Sequence, residues 1–323
     1  MQAVEISAPG GPEVLRAAKA DKPSPGPREV LVKVAFAGVN GPDLMQRRGL
    51  YPPPKGASPL LGLEIAGEVE SVGAEVRRWK AGDRVCALTN GGGYAEYCAV
   101  LEDHCLPIPQ GLDLKAAASL PEAYFTVWSN IFMTAHLREG EVFLVHGGAG
   151  GLGTASIQLG KAFGARVVVT DSPAERLAQC KALGADRAID YKTEDFVEIV
   201  REEFGGADVV LDIVGGPYIA KNVKAAKPDA RIVQLAFAMG SKVEFDFMPI
   251  MLKRLVYTGS TLRSRPDAFK TQVARELEQK VWPLFANGRL KSVVSTVLPL
   301  AQAGEAHRLM ESGGHYGKIV LQA

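Results

Sequence analysis

The sequence predicts an α/β protein in which a doubly wound parallel sheet is inserted into a mainly antiparallel, barrel-like domain. Three observations carry that prediction. Residues 142–259 alternate apolar runs of strand length with segments of helical spacing. Residues 1–120 instead hold short alternating strands between Gly- and Pro-rich turns, and two strand-like runs come near the end of the chain. Strands interleaved with helices build parallel sheets, whereas short strands punctuated by turns build antiparallel ones.

In order along the chain, MQAVEI enters an alternating strand pattern at once, with no basic stretch, apolar core or cleavage site ahead of it. Alternation continues at 29–36 (EVLVKVAF) and 67–72 (GEVESV), with turn signals such as 81–84 (AGDR) between strands. Parallel strands are then predicted at 142–146, 166–170, 187–189, 208–213, 230–236 and 255–259. Helices are predicted between them at 154–163, 173–183, 194–204, 217–226 and 247–253. The second has a start signal: Ser172 as N-cap, Pro173 at the first position and Glu175 completing a capping box. One long helical segment (267–287) and strands at 293–298 and 317–321 follow, and the last strands are expected to rejoin the first domain. The expected domains are therefore 1–123 with 264–323, and 124–263.

The most informative stretch is 142–153, VFLVHGGAGGLG. An apolar strand runs into a turn made of Gly148, Ala149, Gly150, Gly151, Leu152 and Gly153, and a helix follows. One glycine permits the tight turn, one lets backbone approach a pyrophosphate, and one lets helix and strand pack closely. The helix N-terminus offers unpaired N–H groups and a partial positive charge to phosphates. A second strand and an acid at Asp171 fall where a dinucleotide site needs them.

Composition excludes several other classes. Lys and Arg number 37 against 36 Asp and Glu, a net charge of +1, so nothing points to a nucleic-acid partner. No apolar run approaches the ~18 residues of a membrane span. The four cysteines form no CxxC pair, and reduced thiols and a cytoplasmic location are the expectation. His104 and Cys105 are neighbours, but two adjacent ligands do not make a tetrahedral site, so no metal is expected.

Several blocks together resemble the zinc-free quinone oxidoreductase (zeta-crystallin-like) branch of the medium-chain dehydrogenase/reductase superfamily. They are 38–43 (GVNGPD), 43–53 (DLMQRRGLYPP), 62–67 (GLEIAG), 120–123 (LPEA) and 147–153. Further blocks are 183–186 (LGAD), 191–196 (YKTEDF), 211–216 (LDIVGG) and 317–321 (GKIVL). The resemblance implies a Rossmann doubly wound sheet inserted in a GroES-like barrel. Zinc alcohol dehydrogenases carry Cys, His and Cys ligands where this chain has Asn40, Leu63 and Glu122, and residues 90–105 lack their four-cysteine loop. Without that Lewis acid, hydride must go to an acceptor that needs none, a quinone or an electron-poor alkene.

The resemblance places Asn40 and Tyr51 at the reaction site. Tyr51 would hydrogen-bond or protonate a quinol oxygen, and Asn40 would orient ribose or substrate. From the residues alone, Tyr51 equally suits a half-buried aromatic beside YPPP, and Asn40 a turn. Thr126, Phe237 and Lys318 match positions near the cofactor. The choice of cofactor is contested within the sequence. Asp171 favours NADH, because a carboxylate accepts from ribose hydroxyls and repels a 2′-phosphate. Ser172, Arg176 and Tyr191 match positions that hold that phosphate in NADPH-dependent relatives, so NADPH is favoured and NADH stays open. Residues 255–262 suit an edge strand that pairs with a second copy, and a homodimer is expected.

Overall fold

A computed structural model describes residues 1–323. The chain divides into two compact units, Met1–Phe125 with Arg263–Ala323, and Thr126–Leu262.

In Thr126–Leu262, six strands form one parallel sheet. Their spatial order is Arg187–Asp190, Arg166–Asp171, Val142–His146, Ala207–Asp212, Ala226–Gln234 and Val256–Gly259. Numbered along the chain this is 3-2-1-4-5-6, the doubly wound order that reverses direction beside the first strand. Its core is aliphatic: Val142, Leu144, Val168, Ile189, Val210 and Ile232 are all buried. A strand covered on both faces reads as a continuous apolar run, which is why VFLVH and RVVVT identify themselves.

Two helix starts differ from the sequence reading. The first helix spans Gly151–Ala162, so it opens inside the glycine run and three residues before the apolar spacing begins. Periodicity registers only bulky side chains, and glycine has none. The second spans Ala174–Ala182 with Pro173 as N-cap in extended backbone, and the expected capping box of Ser172 and Glu175 does not form. The Ser172 N–H is taken instead by the Asp171 carboxylate at 2.8 Å.

The other unit holds a seven-stranded sheet. Its order is Val294–Pro299, Lys318–Gln322, Glu29–Gly38, Glu64–Val72, Arg84–Leu88 and Cys105–Pro107, with Tyr97–Leu101 also paired to Glu29–Gly38. Every pairing is antiparallel except that of the last two strands with each other. Lys318–Gln322 thus lies against Glu29–Gly38, as the sequence pattern anticipates. The expected helix at 267–287 is broken into Asp267–Glu276, a wide turn Leu277–Val281, and Trp282–Ala286. Pro283 lacks the N–H that a continuous helix needs and its ring crowds the preceding turn, so the ladder widens just before it.

Candidate active site

Within Thr126–Leu262, the carboxyl ends of the parallel strands supply the candidate nucleotide site. The tight turn itself falls on Gly147, whose φ of +78° suits glycine. Gly150 faces open space: a Cβ there would meet only the Gly147 carbonyl, at 3.7 Å. At Gly153 a Cβ would fall 2.2 Å from that same oxygen, so only glycine allows this close packing. The first helical bond recorded at the turn runs from Thr154 N–H to Gly150 O at 2.9 Å. The N–H groups of Gly151, Leu152 and Gly153 precede it, at a helix N-terminus where backbone donors are open to an anion.

Asp171 ends the second strand and is buried. Its carboxylate accepts from Ala149 N–H at 2.7 Å, Ser172 N–H at 2.8 Å, Arg176 Nε at 2.7 Å and Arg176 Nη2 at 3.3 Å. Four donors use the capacity of a carboxylate. The competition between Asp171 and Arg176 read from the sequence is, in three dimensions, an ion pair that ties the arginine to the glycine turn. Tyr191 joins this corner through its N–H to Asp171 O at 3.4 Å, and its ring is half-exposed.

A buried polar chain braces the same strand ends. Asp212 accepts from Val214 N–H at 2.6 Å and Gly215 N–H at 3.0 Å, which fixes the following loop. Asn222 donates to Asp212 at 2.9 Å, so its Oδ1 is left to accept from His146 Nε2 at 2.7 Å. His146 Nδ1 then accepts from the Thr170 hydroxyl at 2.8 Å. Burial pushes the His146 imidazole below its ordinary pKa and keeps it neutral, as this pattern requires. Phe237 is exposed, beside Gly215, and Thr126 is buried with its carbonyl accepting from Asn130 at 2.9 Å.

In the other unit the chemistry lies in side chains. Asn40 is the N-cap of helix Gly41–Arg47, and its N–H donates to Asp43 at 2.9 Å. The turn role is therefore real, yet the amide does more. Its Nδ2 donates to Glu64 Oε1 at 2.9 Å and its Oδ1 accepts from Lys318 Nζ at 2.5 Å. Lys318 also forms an ion pair with Glu64, and both side chains are nearly or wholly buried. Glu64 Oε2 accepts the N–H of Glu122 at 2.9 Å. Gly38 makes room for this carboxylate, because a Cβ there would lie 2.0 Å from Glu64 Oε1.

Tyr51 stands beside Arg263, whose guanidinium carbon is 5.6 Å from the ring centre. Arg263 is itself pinned, donating to Gln46 at 2.7 Å and to Asn90 O at 2.6 and 2.9 Å. Burial raises the Tyr51 hydroxyl above its ordinary pKa, and Glu122 adds to the rise. Asp43 is fully buried and pushed up to about 6 by desolvation, although it accepts the Gly62 N–H at 3.0 Å. Glu122 is pushed higher, to about 8, by desolvation and then by the charge of Glu64.

The structure thus joins Asn40 to Lys318 directly and gathers Asp171, Ser172, Arg176 and Tyr191 at one corner. Sequence reasoning missed Glu64, Asp43, Arg263, His146 and Asp212. Glu64 carried a usable signal, a single charge within the apolar run 63–66. A zinc site does not fit: Asn40 is committed to Glu64 and Lys318, and Leu63 offers no donor atom. No group of three or more His, Cys, Asp or Glu side chains is placed to hold a metal ion.

Comparison with known proteins agrees with this architecture. Residues 26–110 match the alcohol dehydrogenase GroES-like domain, and residues 151–279 match the family described as zinc-binding dehydrogenase. The chain is 31% identical to the quinone oxidoreductase of Rattus norvegicus over 99% of its own length and 97% of the relative's. It superposes on Escherichia coli quinone oxidoreductase complexed with NADPH with a TM-score of 0.90 and 29% identity, covering 100% of both chains. The enoyl reductase CurK is also similar, with a TM-score of 0.87, 26% identity and coverage of 99% and 98%. With its doubly wound sheet and its antiparallel partner domain, the chain belongs to the quinone oxidoreductase branch of the medium-chain dehydrogenase/reductase superfamily.

Proposed function

We propose that this chain is an NADPH-dependent quinone reductase that works without zinc. The observation that carries the reading is the Asn40–Glu64–Lys318 network, a buried ammonium held by an amide and a carboxylate where a metal-dependent enzyme needs free donors. A reductase without a Lewis acid requires an acceptor whose own conjugation spreads the arriving charge, and a quinone does so. Bound reduced nicotinamide would supply the hydride.

The chain's own residues hold, orient and exclude water. The N–H groups of Gly151, Leu152 and Gly153 take the pyrophosphate, while Gly148, Ala149 and Gly150, whose N–H groups bond to Thr170, Asp171 and Gly147, shape the turn that presents them. Arg176, with Ser172 and Tyr191, takes the 2′-phosphate, and Asp171 holds Arg176 in place rather than opposing it. Thr126 and Phe237 are assigned to the nicotinamide side. Asn40 and Lys318 set the charge and position of Glu64, a task different from direct contact with the cofactor. Tyr51, whose hydroxyl is raised further above an already high ordinary pKa, stays protonated and so serves as a hydrogen-bond donor to the developing quinol oxygen. We also assign the outer strand Val256–Gly259, where Val256 is exposed, to pairing with a second copy in a homodimer. Light scattering that gives only monomer mass at micromolar concentration would reject that pairing.

The test follows reduced-nicotinamide absorbance with NADPH and NADH in parallel, using 1,2-naphthoquinone and a simple enone, with and without a chelator. Chelator-insensitive turnover that prefers NADPH and the quinone is the expected result. The similarity to CurK favours an enone reductase as the second reading, and a rate with the enone far above that with the quinone would establish it.

A further inference from the structure

The carboxyl groups around Lys318 are not equally occupied. Asp43 accepts the N–H groups of Asn40 and Gly62. Glu64 accepts from the Asn40 amide, the Glu122 N–H and Lys318. Glu122 is different. Its backbone is fixed by Glu64 in the first turn of helix Pro121–Val127, yet its carboxyl makes neither a hydrogen bond nor an ion pair and acts on its neighbours through charge alone. The side chain is largely withdrawn from water without being sealed off. A carboxyl on a fixed backbone, with no partner of its own and with access to water, is free to exchange a proton.

We propose that Glu122 is the proton donor that completes reduction of the acceptor, a role that rests on the reading of this chain as a quinone reductase. Hydride addition converts the quinone to a hydroquinone monoanion. The Glu122 O–H bond then breaks, its proton forms an O–H bond on the substrate oxygen, and the electron pair stays on the carboxylate. The quinone has gained one hydride and one proton, the nicotinamide has been oxidised, and water reprotonates Glu122.

The surroundings suit both halves of that cycle. Desolvation and the charges of Glu64 and Asp43 push the Glu122 carboxyl up to about 8, while Lys318 and Arg263 pull it down. The proton is therefore present at neutral pH and is still released readily. Tyr51 and Lys270 are the other titratable groups that sense Glu122. The Tyr51 hydroxyl is raised above its ordinary value, which makes it the poorer acid of the two. Once ionised, Glu122 again faces Glu64 and Asp43, and that repulsion drives its reprotonation.

Wild type, Glu122→Gln, Glu122→Asp and Tyr51→Phe would be compared across pH with NADPH and 1,2-naphthoquinone, with circular dichroism melts as folding controls. Wild-type kcat should fall as pH rises through about 8. Glu122→Gln should lower kcat about 100-fold at neutral pH, the usual scale for losing a general acid, with quinone KM and NADPH Kd within about twofold. The same variant should lose the alkaline limb, and Glu122→Asp should restore part of both rate and limb. A Glu122→Gln enzyme that keeps its rate within about threefold, or that retains the limb, overturns the proposal. Wild type without quinone turnover sinks the quinone-reductase reading itself, and the proposal with it, before any variant is needed. Wild-type turnover with an unaffected Glu122→Gln sinks only the role of Glu122.

Discussion

The candidate nucleotide corner is built mainly from backbone, whereas the cluster in the other unit is built from charged side chains. At the glycine turn the working groups are N–H donors, and the one ion pair present, Asp171 with Arg176, serves to anchor them. Around Lys318 the working groups are Asn40, Asp43, Glu64, Glu122 and Tyr51, and three of them are held above their ordinary pKa. The difference separates tasks. Backbone donors carry no titratable proton, so what the glycine turn itself offers does not change with pH. The side-chain cluster instead buries charge and titratable groups together, so its balance depends on every member.

The largest expected effect breaks that balance. Lys318→Met leaves Glu64 buried without its counter-charge, which costs about 3–5 kcal/mol for a broken buried pair. Urea unfolding measures it, and a loss below about 1 kcal/mol, the range of an exposed pair, would mean that water reaches Glu64. The second effect is a pH response in the same unit. His307 is buried between Arg47 at 3.2 Å and the Tyr94 hydroxyl at 3.1 Å, and its pKa is lowered to about 3 by burial first and Arg47 second. The unfolded chain takes up that proton near its ordinary 6.5, so this stability is complete above 6.5 and is lost as pH falls toward 3. At pH 5 the loss is about 2 kcal/mol. His307→Gln should flatten this part of the stability-pH curve, and an unchanged slope would assign it to other groups.

The nucleotide corner is tested by smaller changes. Arg176→Ala should lower the ratio of NADPH to NADH efficiency about tenfold, the scale of one charge-assisted contact. An unchanged ratio would remove Arg176 from phosphate recognition. Asp171→Ala sharpens the contrast between the units. Were Asp171 a repelling charge, its loss would improve use of NADPH. As the anchor of Ala149, Ser172 and Arg176, its loss should instead weaken NADPH binding severalfold, which isothermal titration would resolve.

The same contrast explains what was legible in the sequence. Parallel strands such as Val142–His146 and Arg166–Asp171 are buried on both faces, so their composition alone marks them. The glycine turn announces itself because spacing along the chain determines its geometry. Partnerships across the chain leave no such trace. Tyr51 and Arg263 are neighbours in space across 212 positions, and nothing local to either indicates it. Asp171 and Arg176 are visible individually in the sequence, but that each is the other's partner is not. Gly38 looks like an ordinary strand-end glycine until the Glu64 carboxylate is found lying over it. The capping box failed for a related reason: Asp171 had already claimed the Ser172 N–H.

Lys318 has a consequence for how the protein is made. It reaches Asn40 across 278 positions, so Glu64 waits for its counter-charge until strand Lys318–Gln322 has docked. During synthesis the antiparallel unit carries a carboxylate destined for burial with nothing to neutralise it. The earlier strands therefore gain little by closing over Glu64 prematurely. Neutralising Glu64 is therefore a long-range event, and this unit is expected to consolidate only once Lys318 has docked.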